Sequence, residues 1–471
     1  MVVSTSDSSS FKAVLKQTLF FDQEPSWQLI SILLVYFVQG ILGLARLAVS
    51  FFLKDELGLT PAEVAAMMGI VSLPWVIKPL FGFLSDSLPI FGYRRRSYLL
   101  LSSLLGCVSW YSLSAFVHTP WAATVAITLS SLALAVSDVI ADSIVVEKIR
   151  DESQSNAGAL QALCWATTAL GGLITAYLSG FLLEHLSIRS IFLITATFPL
   201  LVCITAWILD DTKVETPPNV SIAKAHLTQV RQAILQKQIL LPVAFVFFWQ
   251  ATPSSDSAFF FFSTNELGFG PEFLGRVRLV TNIAALVGVW VFQRFMKTIP
   301  LRHIFLWSTI ISAVLGMTTL ILVTHANRSL GIDDQWFSLG DSLILTVMGQ
   351  IAFMPVLILA AQLCPAGVEA TMFAILMSIC NLAGIVSHES GALLTHVLGI
   401  TDTNFKWLWL LVLITNLATL LPLPLLRWVP DATALSEKQT PETMSALAAS
   451  KVPEMILTKA DAEAHIQLAP D

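Results

Sequence analysis

Asp138 and Asp142 stand four residues apart in a run that is otherwise almost wholly apolar. At that spacing two side chains share one face of a helix. Carboxylates inside an apolar helix are expensive and normally face a cavity or a partner. Lys78, in a separate apolar run, is the obvious counter-charge. The group can relay protons or substrate. It can equally be a structural ion network with the nearby Arg94, Arg95 and Arg96. A second group is Gln39 and Arg46 in the first apolar run, with Gln250 and Asp256 in the segment Trp249-Gln250-Ala251-Thr252-Pro253-Ser254-Ser255-Asp256. Pro253 has no N–H to give, so a helix should break there, and flanking hydroxyls can satisfy the freed carbonyls. Polar side chains beside a broken helix suit a mid-membrane site for a substrate or coupling ion, although a structural role explains them too. Arg276 and Arg278 open the following apolar run as site residues or as interfacial charges, and His388 and Glu389 are gate candidates.

A third group, Gly82 and Asp86 followed by Gly92 and Arg94-Arg95-Arg96, reads as a conformational latch. Glycine lets helices approach closely, and the charges can hold one state. The alternative is a basic anchor alone. Enzyme chemistry has no such support. There is no phosphate loop, no HExxH, no nucleophile elbow and no Cys/His cluster. Cys107, Cys164, Cys203, Cys364 and Cys380 are unpaired in spacing and read as packing residues. No catalytic residue, metal or cofactor is expected.

The elements that must hold these residues follow from composition. Of 471 residues, 55% are hydrophobic and 12% charged, about half the charge of a soluble domain. This excludes a disordered chain, a nucleic-acid binder and an ordinary soluble enzyme. Twelve runs are apolar enough to cross a bilayer: 28–53, 62–85, 97–117, 121–147, 157–183 and 189–209, then 239–263, 272–295, 301–325, 339–363, 368–397 and 404–428. The expected class is an all-α polytopic membrane protein of two six-helix halves. The halves are 28–209 and 239–428, joined by a polar linker, 210–238, that contains Pro217-Pro218. A segment 1–27 precedes them, and a largely disordered tail, 429–471, follows. Met1 to Ser26 does not read as a signal peptide or an organelle transit peptide. Eighteen of the 26 lysines and arginines fall on one side of this topology and four on the other. The positive-inside rule therefore places both termini in the cytoplasm.

The two halves also repeat. Glu56-Leu57-Gly58-Leu59-Thr60-Pro61 recurs as Glu266-Leu267-Gly268-Phe269-Gly270-Pro271, at an offset of 210 residues. A parallel six-plus-six repeat is the pattern of facilitator transporters, whose halves rock about a midplane site. The offset carries Arg46 onto Asp256. The two should therefore lie at one depth and pair, or at least face one central cavity.

Gly43-Leu44-Ala45-Arg46-Leu47-Ala48, the Gly92 to Arg96 loop, Ser137-Asp138-Val139 with Asp142 and Glu147, Trp249 to Pro253, and Phe273 to Val280 resemble the folate–biopterin transporter family of the major facilitator superfamily. The resemblance runs from about Ser26 to Trp428, and the short N-terminus is more like a cyanobacterial member than a plastid precursor. It implies transport of folates or pterins across a bacterial inner membrane, or a plastid envelope. The missing nucleotide site and the intramembrane Asp138, Asp142 and Asp256 point to proton-coupled import, by a monomer with the bilayer and protons as its other partners. On that implication Asp256 can accept the N–H and amino edge of a pterin. Arg46 or Arg278 can grip a folate carboxylate through the guanidinium fork. Trp249 can stack on the ring, with Gln39 and Gln250 beside it. Without the resemblance the residues point to a secondary transporter of a small polar or charged solute. A different organic solute on the same scaffold remains open, as does a non-transporting sensor or assembly factor.

Overall fold

The computed structural model describes residues 26–149, 154–209, 211, 213, 235–296, 299–363 and 369–430. The N-terminal segment up to residue 25, most of the linker with Pro217-Pro218, and the tail from Asp431 lie outside the described residues. So do Arg150, Cys364 and the side chains of Glu147 and Lys148.

Among the described residues, eleven helices are long and apolar enough to cross a membrane: Trp27–Glu56, Pro61–Asp86, Arg96–Ala115, Pro120–Val145, Ala166–His185, Ile188–Ile208, Pro271–Met296, Leu301–Val323, Asp334–Ala360, Met372–Val397 and Leu408–Trp428. The twelfth crossing is split. Lys237–Gln250 ends, residues 251–255 unwind, and the helix resumes at Asp256 and runs to Glu266. Counting the split helix as span seven gives spans one to twelve in chain order. Six of the spans meet in four facing pairs. Span one packs on span five, span two on span eleven, span five on span eight, and span seven on span eleven. Spans three and six pack on each other at the side of the first half, as nine and ten do in the second.

The repeat is visible in the backbone. Span one is interrupted at residues 42–43, and span seven is interrupted at 251–255, which includes the equivalent positions. Each then ends in a π-helical turn, Phe52–Glu56 in one half and Phe262–Glu266 in the other. After the π turn the Leu59 N–H donates to the Leu53 carbonyl at 3.0 Å, and Phe269 donates to Ser263 at 2.9 Å. Gly58 and Gly268 take φ of 63° and 68°, a left-handed conformation open to glycine at little cost. Pro61 and Pro271 then start the next helix at its first position, where a missing N–H costs nothing. The side of the membrane with these two turns is called the Glu56 face below, and the opposite side the Arg94 face.

At the Arg94 face, the span-three helix has no cap of its own. The Asp211 carboxylate, arriving from the end of span six, accepts the Arg95 and Arg96 N–H groups at 2.8 and 2.9 Å. An acceptor there complements the helix dipole and the orphan donors. The Arg95 guanidinium pairs with Asp86 at 2.7 Å and with Ser85 Oγ at 2.8 Å. Arg96 lies over the Trp207 ring, 4.3 Å from its centroid. Gly82 packs on Val139 of span four, and Gly92 holds φ of 82° in the turn. Spans two, three, four and six of the first half are thereby tied together at one end.

Candidate functional site

Four side chains from three spans meet towards the Arg94 face. Lys78 forms an ion pair with Asp138, and its ammonium also lies 4.9 Å from the centre of the Trp75 ring. One turn further along span four, Asp142 accepts a hydrogen bond from the buried Tyr36 hydroxyl of span one at 2.6 Å. Asp142 is exposed although its neighbours Ile140, Ala141 and Val145 are almost wholly buried. It therefore looks into an interior opening and away from lipid. Tyr36 was not foreseen, because nothing local marks a residue 106 positions away as a partner.

Arg46 shows the same pattern. It is exposed while Leu44, Ala45, Leu47, Ala48 and Val49 around it are buried, which puts it on a central cavity between the halves. Arg278 of span eight is close enough for each guanidinium to feel the other's charge. Both flank span five. Gly40 and Gly43 of span one pack on Gly171, Gly172 and Thr175. Gly275 of span eight packs on Gly180, and the Asn282 amide donates to the Gly172 carbonyl at 3.2 Å. Arg276, two residues away, instead pairs with Glu272 at 2.5 Å on the exposed side.

Asp256 opens the second piece of span seven and is exposed. Among the described residues no ion pair joins it to Arg46. Spans one and seven touch nearer the Glu56 face, where the Phe51 and Phe260 rings meet edge-on at 5.5 Å. An equivalent position fixes depth, but it does not close the gap across the cavity. The expected pair is thus absent in this conformation.

Two further residues lie elsewhere than a cavity reading implies. Trp249 turns into its own half. Its Nε1 donates to Thr309 Oγ1 at 2.9 Å and its ring packs against Phe305. The indole N–H is satisfied there, so the ring is core rather than a stacking surface. Gln39, the equivalent position by the repeat, also points inward. It lines a small cavity within the first half, among Ser102, Ser103, Ser130 and Ser137, and its Nε2 has no partner. Gln250, half-buried, ends the first piece of span seven.

Span eleven supports the break in span seven. Ser387 Oγ donates to the Thr252 carbonyl at 2.6 Å, and the Ser254 N–H donates to the Ser387 carbonyl at 3.2 Å. Gly391 lies so close to Ser254 that a Cβ would be 3.0 Å from its carbonyl carbon. The hydroxyl that binds the Thr252 carbonyl comes from another span, while the flanking Ser254 hydroxyl accepts the Asp256 N–H at 3.1 Å. Two residues later, the Glu389 carboxylate sits over Gly69 of span two, bridging the halves near the Glu56 face. Nearer the midplane, the Asn381 amide donates to the Trp75 carbonyl at 3.0 Å. Proline at 79 denies that carbonyl its usual helical partner four residues on. The Pro79 spacing was the available signal for Asn381.

The chain matches the BT1 family over residues 39–448, nearly the whole of the membrane part that holds this cavity. The protein belongs to the BT1 family. It is 57% identical over 423 residues to the folate-biopterin transporter of Synechocystis sp., covering 90% of this chain and 86% of that one. It is 32% identical to the probable folate-biopterin transporter 2 of Arabidopsis thaliana, over 86% and 83% of the two chains. To folate transporter 2 of Plasmodium falciparum it is 30% identical, over 88% and 90%. The D-xylose-proton symporter superposes with a TM-score of 0.63 at 14% identity, covering 86% of this chain and 98% of that structure. The nucleoside transporter NupG gives 0.62 at 15%, covering 85% and 98%. This BT1 member is therefore an all-helical, multi-pass membrane protein of the facilitator fold.

Proposed function

We propose that the protein is a secondary transporter that moves folates or pterins by alternating access. The observation that carries this is the charged cavity between the halves, Arg46 on one half and Arg278 and Asp256 on the other, in a chain 57% identical to a folate-biopterin transporter. A scaffold or sensor needs no such charges. The guanidinium groups suit the carboxylates of a folate tail, and Asp256 suits the donor edge of a pterin. Coupling to protons falls to Asp142 and Asp138, since a carboxylate open to an interior cavity can load and release a proton as access alternates. Lys78 holds Asp138 in place, and Tyr36 holds Asp142. The Asp86 and Arg94–Arg96 cluster is the latch that steadies the first half as it moves.

The distribution of lysine and arginine puts the Arg94 face, both termini and the 210–238 linker in the cytoplasm. The membrane is the inner, or plasma, membrane of a bacterium and the unit is a monomer, its halves 28–209 and 239–428. The test is uptake of labelled folate into vesicles that contain the purified protein. Saturable uptake that grows as the outside is acidified is expected. Absence of saturable uptake for any folate or pterin overturns the substrate, and indifference to an imposed pH gradient overturns the coupling.

A further inference from the structure

With the central cavity read as the transport site, we infer that the part of the cargo seated at Arg46 and Arg278 carries two negative charges, so the protein selects dianions over neutral pterins. Several other cations in or beside the spans hold a carboxylate of the protein. Lys78 has Asp138, Lys54 has Asp55, Arg276 has Glu272 and Arg189 has Glu56. Arg46 and Arg278 have none among the described residues, and neither side chain makes a hydrogen bond there. They are also neighbours, both flanking span five between Gly40 and Gly180, each within the field of the other. Asp256, at the repeat-equivalent position of span seven, is exposed and makes no ion pair with Arg46 among the described residues.

Two like charges held in one water-lined site are tolerable while the cavity is open, because water screens them. The transport cycle must pass through a state in which the cavity is sealed. Water is then largely expelled, and the two cations need a partner that enters with the cargo. A dianion makes that sealed site neutral. A monoanion leaves one guanidinium unpaired, and a neutral ring leaves both, having displaced their water without replacing it. The planar forks of two arginines suit a pair of carboxylates or the oxygens of one phosphate. The shared chemistry is two formal charges within one small group, and a glutamyl dicarboxylate or a phosphate ester can supply it.

The test uses full-length protein in vesicles with labelled folate, and four competitors. These are p-aminobenzoylglutamate (two carboxylates, no pterin), pteroate (a pterin with one carboxylate), biopterin (neutral) and a pterin bearing a phosphate ester. p-Aminobenzoylglutamate is expected to compete, with pteroate and biopterin at least about 30-fold weaker, the scale of leaving a buried charge unpaired. Competition by the phosphate ester assigns the site to phosphate oxygens as well and upholds the charge requirement. R46Q and R278Q should each weaken folate by a similar factor, while R46K keeps part of the preference. Because the competitor series runs on the unaltered protein, a variant that fails to fold does not decide the matter. Folate uptake with biopterin competing as well as folate overturns this inference and leaves the transport reading standing. Absence of folate or pterin uptake, with p-aminobenzoylglutamate still raising the Tm of the purified protein, overturns the transport reading and upholds the charge requirement.

Discussion

At the scale of residues, the question is whether the charges near the Arg94 face hold the bundle or work in it. Lys78 and Asp138 answer each other, and both are largely shielded, with side chains 18% and 17% exposed. Removing one partner of such a pair leaves an uncompensated charge and costs about 3 kcal/mol or more. Replacing both with neutral groups removes that penalty. Thermal unfolding in detergent should therefore show K78M and D138N each well below the parent, and the double variant close to it. If the pair also serves proton movement, the double variant should stay folded and fail to accumulate folate against a gradient. Recovery of both stability and accumulation would assign the pair to structure alone. Tyr36 offers a milder probe. Y36F keeps the ring in its buried place and removes only the hydroxyl that binds Asp142. A lost hydrogen bond to a charged group is worth about 1.5–3 kcal/mol. Acid-driven accumulation should drop in Y36F, while exchange of labelled for unlabelled folate at equal pH persists. Loss of both would instead mark Tyr36 as part of the substrate path.

At the scale of elements, the interruptions are where the spans become specific to each other. Proline at 79 frees the Trp75 carbonyl, and Asn381 from the other half takes it. N381L should cost about 1–3 kcal/mol, the penalty of a buried acceptor left unpaired. P79A restores an N–H able to reach that carbonyl within the helix, so the amide becomes redundant. The double variant P79A/N381L should then be more stable than N381L, a non-additive result that thermal denaturation can read. Additive losses would show that Asn381 matters for some other contact. This logic also explains what the chain revealed by itself. The break in span seven was readable from Pro253, and the repeated turns were readable from Glu-Leu-Gly at two places, because both are local backbone effects. The pairing of Lys78 with Asp138 could be guessed from the scarcity of charge in apolar runs. The inward turn of Trp249 and Gln39 could not be read, since a helix that is apolar all round gives no sign of which side faces the cavity. Neither could Tyr36 and Ser387, whose partners lie more than 100 residues away.

For the molecule as a whole, the bonds between halves gather at the midplane and the Glu56 face. Phe51 meets Phe260, Glu389 covers Gly69, and spans five and eight come together at two glycines. At the other end Asp142 is exposed. This is the arrangement of a transporter closed at the Glu56 face, the outer one in the orientation proposed above. The approach of Gly180 to Gly275 requires that neither carry a side chain, since a Cβ on Gly180 would lie 2.7 Å from the Gly275 Cα. In the opposite state these spans must separate, and the restriction should lapse. G180L should therefore disfavour the closed outer end without harming either half's core. It is expected to fold, to hold labels attached near Glu184 and Glu272 several ångströms further apart than in the parent, and to lose most folate uptake because it cannot complete the cycle. Pulsed distance measurements between such labels check the first expectation, and vesicle uptake checks the second. Unchanged distances with normal uptake would mean that spans five and eight do not form the moving seam. Unchanged distances with lost uptake would place the effect of Gly180 on the nearby Arg278 site instead of on the closure.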